Sequence, residues 1–234
     1  MKKKVLILGG SSDIGIEVIK KFLKNKWVVV AHYSKNNHEL KKIKNKNLKI
    51  FKYDLRDIYN FEKFLNKNSL FNDINSFISL TGYINSANFS KIKIIDFYDH
   101  INVNYLSNLI ILKKILPKMK KNNFGRVLLS SSTGVKFGGG ETTPLYSLTK
   151  YMNEFFFSSY NEFFKKNVLI NTIRIGLTKT KLHKKIKKNL AKRIQLIPIK
   201  RMASTKEVAN YIFIYSTEFN TLTTRKIIDV TGGE

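Results

Sequence analysis

Short apolar runs rich in β-branched residues alternate along the chain with stretches whose apolar positions recur every three or four residues. The runs Val5–Leu8, Val28–Ala31, Leu48–Phe51, Phe77–Leu80, Val127–Leu129, Val168–Ile173 and Ile227–Val230 read as buried strands. Between them, Ile14–Leu23, Ile58–Leu65, Phe97–Met119, Tyr146–Phe164 and Val208–Tyr215 carry the helical period. Continuous apolar strands joined by helices imply a parallel sheet covered on both faces, the α/β doubly wound architecture. Ligands bind such a sheet beyond the carboxyl ends of its strands. The 234 residues show no shift in composition and only three prolines, so one domain over residues 1–234 is expected.

Composition narrows the function classes. No apolar run is long enough to span a bilayer, and the basic start Met1-Lys-Lys-Lys4 leads into a strand rather than a signal peptide. Without cysteine there can be no disulfide, thiolate metal site or cysteine nucleophile, which fits a cytoplasmic protein. His32, His38, His100 and His183 are scattered and make no metal-ligand spacing, so no metal is expected. The net charge of +27 has two readings: attraction to an anionic partner, or the lysine-rich composition of an AT-rich genome. The lysines are scattered, which argues against nucleic acid as the main partner, and Lys179–Lys188 is the densest cluster. The aromatic group Phe155, Phe156, Phe157, Tyr160, Phe163 and Phe164 reads as a mixture of core packing and subunit interface.

Gly9-Gly-Ser-Ser-Asp-Ile-Gly15 follows the first strand and opens the first helix, the placement that a dinucleotide-binding turn requires. Gly9 permits the tight turn and Gly15 the close approach of helix to strand. The free N–H groups and positive dipole at the helix start then face a pyrophosphate. Ser11 and Ser12 add hydroxyl donors. The second strand ends Ala31-His-Tyr-Ser-Lys35, with no carboxylate to accept a hydrogen bond from a ribose 2′-hydroxyl. Ser34 and Lys35 match a 2′-phosphate instead, so NADP(H) is preferred and NAD(H) stays open. A lysine-rich surface would also place Lys35 there by composition alone. Asp54, after the third strand, is placed to accept from an adenine amino group.

Tyr146 and Lys150 stand four residues apart, a spacing that puts both on one helix face. A cation beside a phenol stabilises the phenolate and lowers its pKa from about 10, making tyrosine a usable general acid. The same spacing also arises on helix surfaces as an exposed aromatic beside a solvated lysine.

The glycine turn, Asp54, Asn104, the Ser130-Ser-Ser132 strand end and Tyr146-x-x-x-Lys150 occur in that order. From about residue 4 to the C-terminus, including Ile197–Met202 and Asp229–Gly233, the chain resembles the short-chain dehydrogenase/reductase family. It looks most like reductases of 3-oxoacyl groups on acyl carrier protein and their relatives in surface-polysaccharide pathways. The resemblance implies a Rossmann-type sheet with a small substrate lid at about 177–200, and hydride transfer to a small-molecule or carrier-linked carbonyl. It makes Tyr146 the proton donor and gives Lys150 the task of tuning Tyr146 and holding ribose hydroxyls. Ser131, three residues before Gly134, would hydrogen-bond the oxyanion, with Ser132 as the alternative. Asn104 would anchor a water chain, and Ile14, Leu55, Gly82, Gly176 and Thr178 would join the cofactor site. Assembly as a homotetramer or homodimer through the two long helices is implied as well.

The chain departs from the family pattern at several points. Leu8 stands for a threonine, Asp13 for the middle glycine, Ser79-Leu-Thr-Gly82 for Asn-Asn-Ala-Gly and Ile175 for a proline. Two other functions are carried as alternatives: a sugar or nucleotide-sugar oxidoreductase, and a non-catalytic dinucleotide- or nucleic-acid-binding protein.

Overall fold

The protein is described by a computed structural model covering residues 2–181 and 190–234. Its strands are β1 (Lys4–Leu8), β2 (Val28–Tyr33), β3 (Leu48–Lys52), β4 (Ser76–Ser79), β5 (Gly125–Ser132), β6 (Val168–Ile175) and β7 (Ile227–Val230). They form one parallel sheet in the order β3-β2-β1-β4-β5-β6-β7. The strand order reverses at β1, between β2 and β4, which opens a crevice at the carboxyl edge.

Strand alternation divides the core into two layers. Leu6, Leu8, Phe77, Val127 and Leu129 face α3 (Ile58–Asn66) and α5 (Ser107–Lys121). Val5, Ile7, Ile78 and Leu128 face α1 (Asp13–Lys24) and α9 (Thr205–Tyr215). Between these lie α2 (His38–Lys41), α4 (Ile94–Ile101), α6 (Pro144–Met152), α7 (Asn161–Phe164) and α8 (Leu190–Leu196). Local signals start the helices: Ser12 caps α1, Pro144 occupies the first turn of α6, and Ser204 with Glu207 forms a capping box on α9.

Two expected helices are broken, each for a visible reason. The segment expected as one helix over Phe97–Met119 contains a π turn at Asn102–Leu106 between α4 and α5, centred on the fully buried Asn104. The helix expected over Tyr146–Phe164 ends at Met152. There Thr172 Oγ1 donates to the Asn153 carbonyl at 2.5 Å, and Glu154 turns into the sheet to meet Arg174. The chain beyond runs through a short turn into α7.

That break settles the aromatic group as mainly core. Tyr160 is buried, Phe156, Phe157, Phe163 and Phe164 pack against the first layer, and Phe155 alone is exposed. Among the described residues no helix is long and apolar enough to cross a membrane. The basic run Lys179–Lys188, with His183, lies from residue 182 onward outside the described residues.

Phe77 is fully buried at the centre of the sheet. Phe77→Ala should therefore cost about 3–5 kcal/mol of unfolding free energy. Denaturant titration checks this, and a loss below about 1 kcal/mol would contradict the packing.

Candidate active site

A cavity of about 940 Å³ opens at the carboxyl edge of the sheet. The start of α1 forms one wall through Ser11, Ser12, Asp13 and Ile14. The ends of β4 and β5, α6 and the 175–181 segment complete the enclosure, and Arg193 of α8 closes one side.

The glycine turn fits a dinucleotide in detail. Gly9 has φ +70°, and a Cβ there would stand 2.7 Å from the Leu80 carbonyl oxygen. A Cβ on Gly15 would stand 2.6 Å from the Gly9 carbonyl oxygen, so only glycine lets α1 approach β1 this closely. Ser12 Oγ donates to the Gly9 carbonyl at 2.8 Å and accepts the Gly15 N–H at 3.0 Å. Its hydroxyl is thus spent on capping, and Ser11 is left to face the cavity. Asp13, itself part of the cavity wall, accepts the Lys181 N–H at 2.6 Å, which ties the end of the 175–181 segment to α1. The Lys181 ammonium also approaches Glu39 of α2 at 3.6 Å.

Of the residues expected to hold a cofactor, Ser11, Ser12, Ile14, Gly82, Tyr146, Lys150, Gly176 and Thr178 line this cavity. Gly9 and Gly15 shape it from behind. Ser34 and Lys35 follow β2, where parallel pairing of Tyr33 with Lys52 sets them beside Asp54 at the end of β3. The Arg56 guanidinium grips Asp54 and holds its carboxyl below the usual range, with Lys35 adding to the effect. The Leu55 side chain belongs to the core, so it offers a ligand only its main chain.

The catalytic candidates converge from β5 and α6. Tyr146 borders the cavity beside Gly82, where a Cβ would lie 4.0 Å from the phenol oxygen. Burial holds the Tyr146 pKa above its usual value, opposite to the lowering expected from a neighbouring cation, and a hydrogen bond with Ser132 offsets only part of the rise. Lys150 is buried without an ion pair among the described residues. Its Nζ donates to the Thr81 carbonyl at 2.6 Å, the Ser130 carbonyl at 3.0 Å and Ser130 Oγ at 2.8 Å. Three uncharged acceptors match the three N–H bonds of an ammonium. Desolvation still lowers its pKa to about 7.

Asn104 lies behind this pair. Its amide exchanges hydrogen bonds with the Tyr83 backbone (2.8 and 3.0 Å) and donates to Thr149 Oγ1 at 3.0 Å. Its main-chain carbonyl accepts from the side-chain amides of Asn108 and Asn153 at 3.0 and 2.9 Å.

The geometry moves one expectation. Ser131 borders the cavity, but its hydroxyl donates to Glu154 at 2.6 Å, and Glu154 forms a two-pronged pair with Arg174 at 2.7 and 2.6 Å. Side chains alternate along a strand, so Ser130 and Ser132 share the face that meets Lys150 and Tyr146, while Ser131 points to the other layer. Counting back from Gly134 selects Ser131 with Ser132 as the alternative, and because a one-residue step reverses the face, the two hydroxyls have different partners here. Sequence reading also missed Ser130 as a lysine acceptor and His32, whose ring accepts the Gly9 N–H. A serine triplet does not declare which hydroxyl faces inward, and a lone histidine in an apolar strand carries no motif. Among the described residues no group of three carboxylates and histidines could hold a metal ion.

The Lys150 value makes a testable statement about stability. The folded chain releases this proton near pH 7 and the unfolded chain only near 10.5, so wild type gains stability as pH rises between them. Relative to Lys150→Met, the wild-type unfolding free energy should rise across that window and be flat below it. A parallel pH dependence of the two proteins would refute the lowered Lys150 pKa.

The chain is similar to known proteins over most of its length. Residues 3–191 match the family described as short chain dehydrogenase. The 3-oxoacyl-[acyl-carrier-protein] reductase FabG of Aquifex aeolicus (strain VF5) is 26% identical over 230 residues, covering 97% of this chain and 86% of the relative. The acetoacetyl-CoA reductase of Cupriavidus necator is 27% identical over 164 residues, 69% of this chain and 66% of the relative. The solved structure titled ElxO with NADP bound is 26% identical, with a TM-score of 0.86 and coverage of 100% and 98% of the two chains. With the glycine turn, the Tyr146 and Lys150 pair and the sheet order all in place, the chain belongs to the short-chain dehydrogenase/reductase family.

Proposed function

We propose that this protein is an NADP(H)-dependent reductase of a carbonyl group, with a 3-oxoacyl thioester as the substrate class. The observation that carries the reading is the convergence of Ser132, Tyr146 and Lys150 on one wall of the cavity, opposite the glycine turn. The relatives that reduce 3-oxoacyl and acetoacetyl thioesters support the substrate class, and the NADP-bound neighbour supports the cofactor.

The glycine turn and the α1 N-terminus would hold the pyrophosphate, with Ser34 and Lys35 at the 2′-phosphate and Asp54 at the adenine. The nicotinamide supplies the hydride. Tyr146 gives its phenolic proton to the carbonyl oxygen, and Ser132 donates a hydrogen bond to the same oxygen as charge develops. Lys150, held as an ammonium by Thr81 and Ser130, stabilises the phenolate left behind. Asn104 fixes the 83–84 segment and the α6 face that presents both residues.

Hydroxyls from Thr142, Thr143 and Ser147 line the same cavity and favour a polar substrate, while the Arg193 guanidinium there is paired with Glu234 at 2.7 Å. This keeps a sugar oxidoreductase as the second reading. The chain acts as a homo-oligomer in a reducing cytoplasm, with Ile94, Ile95 and Tyr98 of α4 and Leu148 and Tyr151 of α6 offering an exposed apolar face.

Two predictions test the reading with acetoacetyl-CoA and NADPH. Tyr146→Phe should abolish turnover while NADPH still binds, since only the acid is removed. Full turnover in that variant would overturn the mechanism. Ser132→Ala should lower kcat about 10²- to 10³-fold, whereas Ser131→Ala should spare kcat and lower thermal stability. The reverse pattern in steady-state kinetics and melting curves would return the role to Ser131.

A further inference from the structure

His32 is buried in β2, 4% exposed, between β1 and β3. Both ring nitrogens are engaged. Nδ1 lies 3.3 Å from the Gly9 N–H and Nε2 lies 2.9 Å from the Tyr53 carbonyl oxygen. A backbone N–H can only donate and a carbonyl can only accept, so the surroundings dictate a neutral ring with its proton on Nε2. The His32 carbonyl accepts the Gly10 N–H at 2.9 Å, and Phe51 packs on the ring at 5.3 Å. One residue therefore holds the first two glycines of the turn.

The turn needs such an anchor. Leu8, just before it, is aliphatic and brings no side-chain hydrogen bond from β1. Gly9 sits at φ +70°, against the Leu80 carbonyl, and glycine is free to leave that conformation unless other contacts fix its peptide. From Gly9 the chain of bonds continues outward: the Gly9 carbonyl receives Ser12 N–H and Oγ at 3.1 and 2.8 Å, and Ser12 Oγ receives the Gly15 N–H. His32 thus stands at the buried end of a relay whose open end is the α1 N-terminus in the cavity wall.

We propose that His32 is a positioning residue for nucleotide binding: as the neutral Nε2–H tautomer it sets the Gly9 peptide and, through Ser12, the aim of the α1 N–H groups at the cofactor pyrophosphate. The inference rests on the cofactor reading above. Protonation would put a donor on Nδ1 against the Gly9 N–H, slackening the turn. Burial holds the His32 pKa below its usual value, opposed by the bond to Tyr53 and more weakly by the Asp54 carboxylate. Asp54 is itself paired with Arg56 and within the field of Lys35, the Tyr53 phenol turns to Asp57, and Asp13 is held by Lys181. The neutral ring is therefore the form present at pH 7, and the acceptor is lost as pH falls.

The test measures NADPH binding by nicotinamide fluorescence for wild type, His32→Gln and His32→Leu between about pH 5 and pH 8. His32→Leu should weaken NADPH at pH 7 by about tenfold, because the Gly9 N–H loses its acceptor. A glutamine amide can accept from Gly9 and donate to Tyr53, so His32→Gln should stay within about threefold of wild type. Toward acid pH, wild-type affinity should fall more steeply than that of His32→Gln. A ligand phosphate with a pKa near about 6 titrates equally against both proteins, so the difference between the curves isolates the histidine. Should His32→Leu fail to fold, the His32→Gln curve still decides. Unchanged affinity in a folded His32→Leu, or identical pH slopes in wild type and His32→Gln, overturns the inference alone. Wild type that binds neither NADPH nor NADH overturns the cofactor reading and this inference with it.

Discussion

A buried lysine with no carboxylate beside it among the described residues is the constraint around which the site is arranged. Lys150 lies beneath the cavity, where desolvation of its charge opposes folding, and three oxygens from the ends of β4 and β5 offset that cost. The carbonyl of Thr81 and both oxygens of Ser130 reach Nζ only if the two strand ends lie side by side, which the β4–β5 register ensures. A carboxylate would hold the ammonium more firmly but would also lower its field at the neighbouring phenol. Neutral acceptors leave any charge on Lys150 without a carboxylate partner among the described residues, with Nζ 5.8 Å from the centre of the Tyr146 ring. The arrangement favours chemistry at the expense of stability, as active sites commonly do.

The last three residues of β5 show how one strand serves two purposes. Ser130 and Ser132 face the cavity and meet Lys150 and Tyr146, while Ser131 faces the other layer and meets Glu154. Glu154 and Arg174 form a pair that is 3% and 18% exposed at their side chains, and removing either partner from such a pair is costly. Satisfying that pair pulls residue 154 out of helical register, which is why α6 stops at Met152. Packing on one face of the strand has therefore shortened the helix that carries the acid on the other. The aromatic residues beyond the break then fold back onto the core.

The basic surface bears on this site only locally. The excess of lysine is spread over most elements, and the exposed pairs with Glu17, Glu39 and Glu62 add little stability each. The contacts of Lys181 with Asp13 and Glu39 differ in consequence, because they join the 175–181 segment to α1 and α2 at the cavity wall.

Much of this was legible from residue order alone. Apolar runs of four to eight residues between helical repeats determine a parallel sheet, since no other packing buries both faces of so many short strands. The glycine turn after β1 and the Tyr146 and Lys150 spacing mark the cleft and its candidate acid, because each depends on backbone sterics or helix pitch within a few residues. What the tertiary structure decided was which groups at distant positions meet. Ser132 rather than Ser131 reaches Tyr146, Ser130 holds Lys150, Glu154 breaks a helix that local pattern would continue, and His32 supports a turn that lies 23 residues earlier in the chain. Each outcome depends on strand register and on the satisfaction of buried polar groups. Both are set by partners far away in sequence, so no local pattern could have revealed them.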